Sequence, residues 1–268
     1  MIDLSIVIAS FNARADLERC LTSLHQPSPA LAHELIVVDN ASTDGSAAAA
    51  RRWPDVQVIA LPTNVGFAAA NNAGIRRSTG RTLLLLNSDT VVPAGALERL
   101  LAELDRHPEA AAIGPRLVDG EGHAELSFGS MIGPLNELRQ RRLMRGLERG
   151  DPATRRQVDA MTRRDGSPDW VSGACLLVRR ADAEAVGLLD ERFFMYTEDV
   201  DFCAALRARG RQVLFTPAVE IVHLRGRSAA TAPAATHAAY RRSHLAFYQK
   251  HHPTLAPLLR LYHRLRPL

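Results

Sequence analysis

The sequence predicts an α/β fold: a Rossmann-like, mostly parallel sheet with helices on both faces. Three observations carry this expectation. Short apolar runs alternate with helix-patterned segments through the first 115 residues, the order expected of parallel strands joined by crossover helices. The run Leu83-Leu84-Leu85-Leu86 has no polar alternation, so that strand is buried on both faces, as in the middle of a parallel sheet. Carboxylates stand at the ends of two of the runs, Asp39 directly after Val38 and Asp89 after Asn87-Ser88, and open α/β sheets bind ligands beyond the C-terminal ends of their strands.

Each element follows from local pattern. Leu4 to Ala9 reads as the first strand, and Leu17, Cys20, Leu21 and Leu24 fall on one helical face. Leu35 to Val38 is a second strand ending in Asp39-Asn40. Ser42 to Gly45 then offers capping side chains to an Ala-rich helix. A third strand spans Val56 to Leu61, and Asn64-Val65-Gly66-Phe67 opens a helix that runs to about Ser78. After the four-Leu strand, Pro93 precedes a helix with Leu97, Leu100, Leu101 and Leu104 on its face. Ala110 to Ile113 resumes the sheet.

The second half is less regular. Residues 134–165 are Arg-rich and contain Gly146, Gly150 and Pro152; they read either as helices covering an opening or as a partly mobile insertion. Order returns at Trp170 to Val178, and a helix from about Glu198 to Arg209 is stopped by Gly210. Glu220-Ile221-Val222 is a strand ending in His223. The expected organisation is a first half (1–115), a second half (116–228) with the basic insertion, and a basic helical C-terminal region (229–268). In that last region Pro257 and Pro267 confine a short amphipathic helix to roughly Leu258 through Arg266.

Composition bounds the function. A chain of 268 residues, 46% hydrophobic, sustains one large α/β domain or two closely packed halves. Without an apolar stretch of about 18 residues or a signal-like N-terminus, the expected location is the cytoplasm, with peripheral contact at the inner membrane face left open. Cys20, Cys175 and Cys203 lack metal or disulfide spacing and read as reduced packing residues. The net charge of +4 hides an asymmetry: after Glu220 the chain has eight Lys and Arg residues and no acids. Such a tail suits an anionic surface or a solvated helix. It has no aromatic interleaving or motif for nucleic acid, so no nucleic-acid partner is expected.

Three polar clusters remain: Asn87-Ser88-Asp89, Glu198-Asp199-Val200-Asp201, and His223. Singly each has a plain structural explanation, as a turn, an acidic first helical turn and a packing histidine. Jointly they stand in order with Ser10, Asn12, Asp39 to Ser46, Asn64 to Phe67, Asn71 and Gly173-Ala174. In this arrangement residues 3–228 resemble family 2 glycosyltransferases, most closely the bacterial rhamnosyltransferase branch.

The resemblance implies a GT-A fold, in which a nucleotide-binding α/β half is fused to an acceptor-binding half. It also implies a metal-dependent inverting transfer from a nucleotide diphosphate sugar. Asp89 matches the metal-binding Asp of the family's DXD motif, and His223 a downstream ligand; oxygen and imidazole donors suit Mg²⁺ or Mn²⁺. Asn87 occupies the first DXD position, where an amide is a poor metal ligand but can bond a ribose. Asp39 matches the acceptor for a pyrimidine ring N–H, as in dTDP or UDP, with Ser10, Asn12, Gly66, Asn71 and Ser88 around the nucleotide. Asp199 matches the general base, and Glu198 its tuning neighbour. Asp201, two positions on along a helix, points elsewhere. The expected partners are a dTDP- or UDP-linked sugar and a glycan or lipid-linked acceptor of the cell envelope, with self-association left open. Two alternatives stand beside this: a nucleotide-sugar-binding protein that has lost catalysis, suggested by Asn87, and a UDP-sugar transferase of the same fold.

Overall fold

The structure is a computed structural model and describes residues 2–224 and 233–265. Four strands form its regular half: β1 (Leu4–Ser10), β2 (His33–Asp39), β3 (Val56–Ala60) and β4 (Thr82–Asn87). They run parallel in the spatial order β3-β2-β1-β4. Their crossovers are α1 (Arg14–His25), α2 (Ser46–Ala50) and α3 (Phe67–Arg77). Beyond β4 come β5 (Thr90–Val91), α4 (Ala96–Asp105) and β6 (Ala110–Val118). Next are β7 (Phe128–Gly129), α5 (Pro134–Glu148), α6 (Pro152–Met161), β8 (Trp170–Val171) and β9 (Cys175–Arg179). The chain continues through α7 (Arg180–Ala185), α8 (Glu198–Ala208), β10 (Gln212–His223), α9 (Pro233–His251) and α10 (Ala256–Leu265).

One eight-stranded sheet results, ordered β3-β2-β1-β4-β9-β6-β10-β5. Strand β9 runs antiparallel between β4 and β6, and short β5 antiparallel to β10; the remaining pairs are parallel. Alternation along β4 explains its unbroken leucines. Leu84 and Leu86 join the core shared with Leu17, Leu21 and Leu24 of α1 and Leu97 and Leu100 of α4. Leu83 and Leu85 face the opposite core, with Ile75 of α3, Phe202 of α8 and Phe247 of α9. Both faces are therefore dry, as two layers of helices require. The boundary expected near residue 115 lies inside β6, and β9 and β10 complete the same sheet as β1 to β4.

Several local expectations need correction. Gly45, with φ of +88°, is the N-cap of α2, and no side chain caps that helix. Asp44 instead accepts the N–H groups of Arg14 and Ser46 at 2.8 and 3.0 Å, which ties two crossovers together. The Glu220 strand is the tail of β10, which begins eight residues earlier at Gln212 because β6 offers it a parallel edge. The Arg-rich segment 134–165 forms two helices: α5 buries no residue fully, whereas α6 buries Val158. Arg116 anchors α6 to the sheet through Asp159 at 2.6 Å. The terminal helix begins at Ala256 rather than Leu258, since proline is compatible with a first helical turn. Arg225, Arg227, Arg266 and Pro267 lie outside the described residues. The three cysteines are buried and unpaired; burial pushes the Cys20 and Cys203 thiols up to about 12, which leaves them unreactive packing groups.

Candidate active site

Parallel register gathers the strand-end residues at one edge of the sheet. Ser10 pairs with Asp39 across β1 and β2, and Ala9 with Asn87 across β1 and β4. Asp39 is buried; its Oδ2 accepts the Ser42 N–H at 3.1 Å. Its Oδ1 is buried without a partner among the described residues, as are Ser10 Oγ and Asn71 Oδ1. Leaving a buried polar atom unpaired costs about 1–3 kcal/mol, so such atoms at one strand edge mark a place where a ligand's polar groups fit. Asn71 stands on α3 with its Nδ2 donating to the Phe67 carbonyl at 2.9 Å. Asn12, at φ +48°, has a mechanical part: its Oδ1 accepts the Thr43 N–H at 2.8 Å, pinning the loop after β2.

Asp89 and His223 are brought together by the antiparallel pairing of β5 with the end of β10, where His223 faces Thr90. The Leu224 N–H donates to the Asp89 carbonyl at 2.8 Å and closes the bridge. His223 Nε2 lies 3.3 Å from Asp89 Oδ1, while its Nδ1 lies 3.0 Å from Glu125 Oε2. Burial opposes a charged ring, but the Asp89 and Glu125 carboxylates outweigh it and lift His223 to about 9. The Asn87 amide nitrogen is also 3.3 Å from Nε2. Nε2 has one hydrogen position to use, and an imidazolium gives it to Asp89. Ser88, between Asn87 and Asp89 in sequence, is buried.

This pair fits a divalent cation. One carboxylate oxygen and one imidazole nitrogen about 3 Å apart match two adjacent ligands on an octahedral ion with bonds of about 2.1 Å. Glu125 on the far ring nitrogen is the orienting partner that metal-bound histidines ordinarily have. No cluster of three acidic, His or Cys ligands occurs among the described residues, so a cation held here would need further ligands from substrate or water.

The acidic pair is placed by the opposite side of the cleft. Asn87 N–H donates to the Ala174 carbonyl at 2.9 Å, and the neighbouring Gly173 N–H donates to Asp199 Oδ2, also at 2.9 Å. The start of β9 thereby links the DXD-like turn to α8. Burial raises the Asp199 carboxyl above its ordinary value in spite of N–H donors from Gly173 and Val200. Burial, then the Asp199 charge, pushes Glu198 up much further. Glu198 Oε2 and Thr197 Oγ1 are buried without partners among the described residues. Tyr196 and Thr197 both adopt left-handed φ, +68° and +67°, a strained pair of the sort that accumulates at functional sites.

Gly66 restrains that loop. At φ +88° it approaches so closely that an added Cβ would lie 2.3 Å from the Phe194 carbonyl oxygen, which accepts the Phe67 N–H at 2.6 Å. Its place is thus explained by loop packing. Asp201 points away, as expected, and binds Lys250 at 2.8 Å and His251 at 2.6 Å. Sequence reading missed Glu125, for which no local pattern exists. It also missed Asn40, whose amide spans Asn64 at 2.9 Å and Val65 N–H at 2.9 Å and holds the turn before α3; the polar pair Asp39-Asn40 was the available signal.

Known proteins share this sequence pattern and fold. Residues 5–167 match the sequence profile of Glycosyl transferase family 2. An N-acetylglucosaminyl-diphospho-decaprenol L-rhamnosyltransferase of Mycobacterium tuberculosis is 30% identical, over 93% of this chain and 85% of that protein. Among solved structures, a Pyrobaculum calidifontis mannosyltransferase in complex with GDP-Man and Mn²⁺ superposes with a TM-score of 0.63 at 20% identity, over 96% of this chain and 68% of that one. GalNAc-T7 with UDP, GalNAc and Mn²⁺ gives 0.61 at 16% identity, over 83% and 44%. The sheet order and these matches agree, and the chain belongs to glycosyltransferase family 2, with the GT-A fold.

Proposed function

We propose that the chain is a metal-dependent inverting glycosyltransferase that moves rhamnose from dTDP-rhamnose to a lipid-linked or glycan acceptor during cell-envelope polysaccharide synthesis. The observation that carries this reading is the alignment, along one sheet edge, of the open Asp39 oxygen, the Asp89–His223 pair and the Glu198–Asp199 pair. Residues 1–115 hold the donor in this reading, and residues 116–228 the acceptor. The rhamnosyl choice rests on the mycobacterial relative, whose name also supplies the acceptor class, a lipid-linked sugar diphosphate.

Asp39 Oδ1 accepts the ring N–H of a thymine or uracil, with Ser10, Asn71, Asn12 and Gly66 bordering the nucleoside and Asn87 and Ser88 the ribose side. Asp89 and His223 would hold Mg²⁺ or Mn²⁺, which offsets charge on the departing diphosphate. Asp199 takes the acceptor hydroxyl proton as that oxygen bonds to the anomeric carbon from the face opposite the diphosphate. The bond from that carbon to the diphosphate oxygen breaks, the electron pair leaves with the diphosphate, and configuration inverts. A buried base with a raised proton affinity suits this step, and Glu198 beside it orients the acceptor.

The test is a panel of dTDP, UDP and GDP sugars with Mg²⁺ or Mn²⁺, scored by release of the nucleoside diphosphate. Turnover should be greatest with dTDP-rhamnose and vanish with chelator. Preference for a GDP sugar would overturn the assignment to Asp39, and turnover indifferent to chelator would remove the metal.

A further inference from the structure

A cavity of ≈ 960 Å³ lies between the α5–α6 pair and the β7–β8 ribbon, and its lining includes Leu126, next in sequence to Glu125. Its floor is apolar, formed by Leu126, Phe128 and Phe215, with the two phenyl rings 4.2 Å apart. Its rim bears the guanidinium groups of Arg139 and Arg142 from α5 and Arg164 from the segment after α6. None of the three has a hydrogen bond or ion pair among the described residues. The acids in the lining are already engaged. Asp151 caps α6 through Thr154 at 2.8 Å, Asp165 accepts the Thr216 hydroxyl at 2.8 Å, and Asp169 pairs with Arg207 at 2.8 Å. Asp169 is neutralised by Arg207, whereas Asp151 and Asp165 are held by neutral Thr groups and keep their charge, so three guanidinium groups face two carboxylates and the lining has a small excess of positive charge above a hydrophobic floor.

Its position relative to the chemistry is set by the β7–β8 ribbon. Ser172 N–H donates to the Ser127 carbonyl at 2.8 Å, so the strand carrying Leu126 and Phe128 runs alongside the turn whose Gly173 N–H holds Asp199. The wall of the cavity is thus joined, through Ser127 and Ser172, to the turn that holds Asp199. On the same face of α5 as Arg139 and Arg142, Leu135 and Leu138 are 74% and 69% exposed. Leu138 lies one helical turn before Arg142, so the charged rim opens onto an apolar face.

We propose that this cavity binds the diphosphate of an amphiphilic acceptor, with Arg139, Arg142 and Arg164 as its anion ligands and the acceptor's lipid leaving over Leu135 and Leu138. The assignment rests on the glycosyltransferase reading above and adds to it the residues that select the acceptor. Guanidinium forks match phosphate oxygens in number and geometry, and a membrane lipid without a diphosphate offers fewer charges to the three together.

The test uses the full-length chain and farnesyl diphosphate, titrated at physiological ionic strength in chelator so that the donor site is silent. Wild type should bind farnesyl diphosphate much more tightly than farnesol. The triple variant Arg139→Ala, Arg142→Ala, Arg164→Ala should lose at least about thirty-fold in affinity, and the corresponding triple Lys variant should keep most of it. All three proteins should bind dTDP equally with Mn²⁺, which reports an intact fold and donor site. Equal farnesyl diphosphate binding by wild type and the triple Ala variant would overturn the proposal, as would equal binding of farnesol and farnesyl diphosphate. Displacement of farnesyl diphosphate by phosphatidylglycerol vesicles would reassign the arginines to bilayer headgroups and also overturn it. Nucleotide diphosphate release in the donor panel reports the transferase reading separately, so failure here leaves that reading standing.

Discussion

At the scale of single residues the site depends on buried carboxylates whose environments differ. Asp199 keeps two N–H donors, whereas Glu198 Oε2 is unpartnered among the described residues. Asp199→Asn should retain Mn²⁺-dependent dTDP binding while kcat falls on the order of a hundredfold or more, the scale of general-base loss; single-turnover measurements check this. For Glu198 the sign of linkage is opposite to that of a salt-bridged acid. Its folded-state proton affinity is raised above the ordinary 4.5, so the folded chain binds that proton more tightly than the unfolded one. Its contribution to stability is full below about pH 4 and is lost as pH climbs towards the raised value. Glu198→Gln should therefore unfold at a temperature a few °C higher than wild type at pH 8, with the gap closing near pH 4, while kcat drops. Unfolding scans across that range decide it. Asp39→Ala should weaken dTDP and UDP by about tenfold while sparing inorganic pyrophosphate, because the lost contact is to the ring. Equal weakening of all three ligands would assign Asp39 to the Ser42 turn alone.

At the scale of elements, the loop before α8 is positioned by a backbone contact between the N-terminus of α3 and Phe194. Gly66→Ala places a methyl 2.3 Å from the Phe194 oxygen at a left-handed φ and should cost about 2–4 kcal/mol from strain and overpacking. Gly187, at φ +84° with nothing near its missing Cβ, provides the control: Gly187→Ala should cost only about 1 kcal/mol. Comparison of Tm and kcat for the two variants separates loop displacement from backbone strain. The elements themselves were legible in sequence because strand and helix periodicities are local. Leu17, Cys20, Leu21 and Leu24 are all buried on α1, and both pairs of the four-Leu strand are buried as read. Ends were less legible: β10 is lengthened by the edge that β6 presents, and α2 is capped by a glycine because Asp44 serves two helices at once.

For the whole molecule, the C-terminal leucines divide between two environments. Leu255 and Leu259 pack against the core beside α8 and α9. Leu258, Leu261 and Leu265 are 65%, 53% and 73% exposed, with Tyr262 also exposed. No helix among the described residues is long and apolar enough to cross a membrane. An amphipathic helix with arginines at 260 and 264 can still lie on an anionic surface, at about 1 kcal/mol per basic residue. Replacing Leu258, Leu261 and Leu265 together by Glu should reduce sedimentation with anionic vesicles at low salt by about tenfold or more, with Tm little changed because these side chains are mostly exposed. Undiminished binding would assign the attraction to other surfaces.

By itself the sequence determined the fold class, the order of the elements and the strand ends that carry acids, because each is written in spacings of two to four residues. It also carried the family pattern, since Asp39, Asn87-Ser88-Asp89, Glu198-Asp199 and His223 stand in a recognisable order. Only the tertiary structure decided which of these groups meet. Glu125 reaches His223 across 98 positions of chain, and Lys250 draws Asp201 out of the cleft across 49. Only the folded chain, too, leaves Arg139, Arg142 and Arg164 around one cavity while Arg116 and Arg207 are spent on ion pairs. A charge's partner is set by register and packing between distant segments, and those distances have no trace in local periodicity.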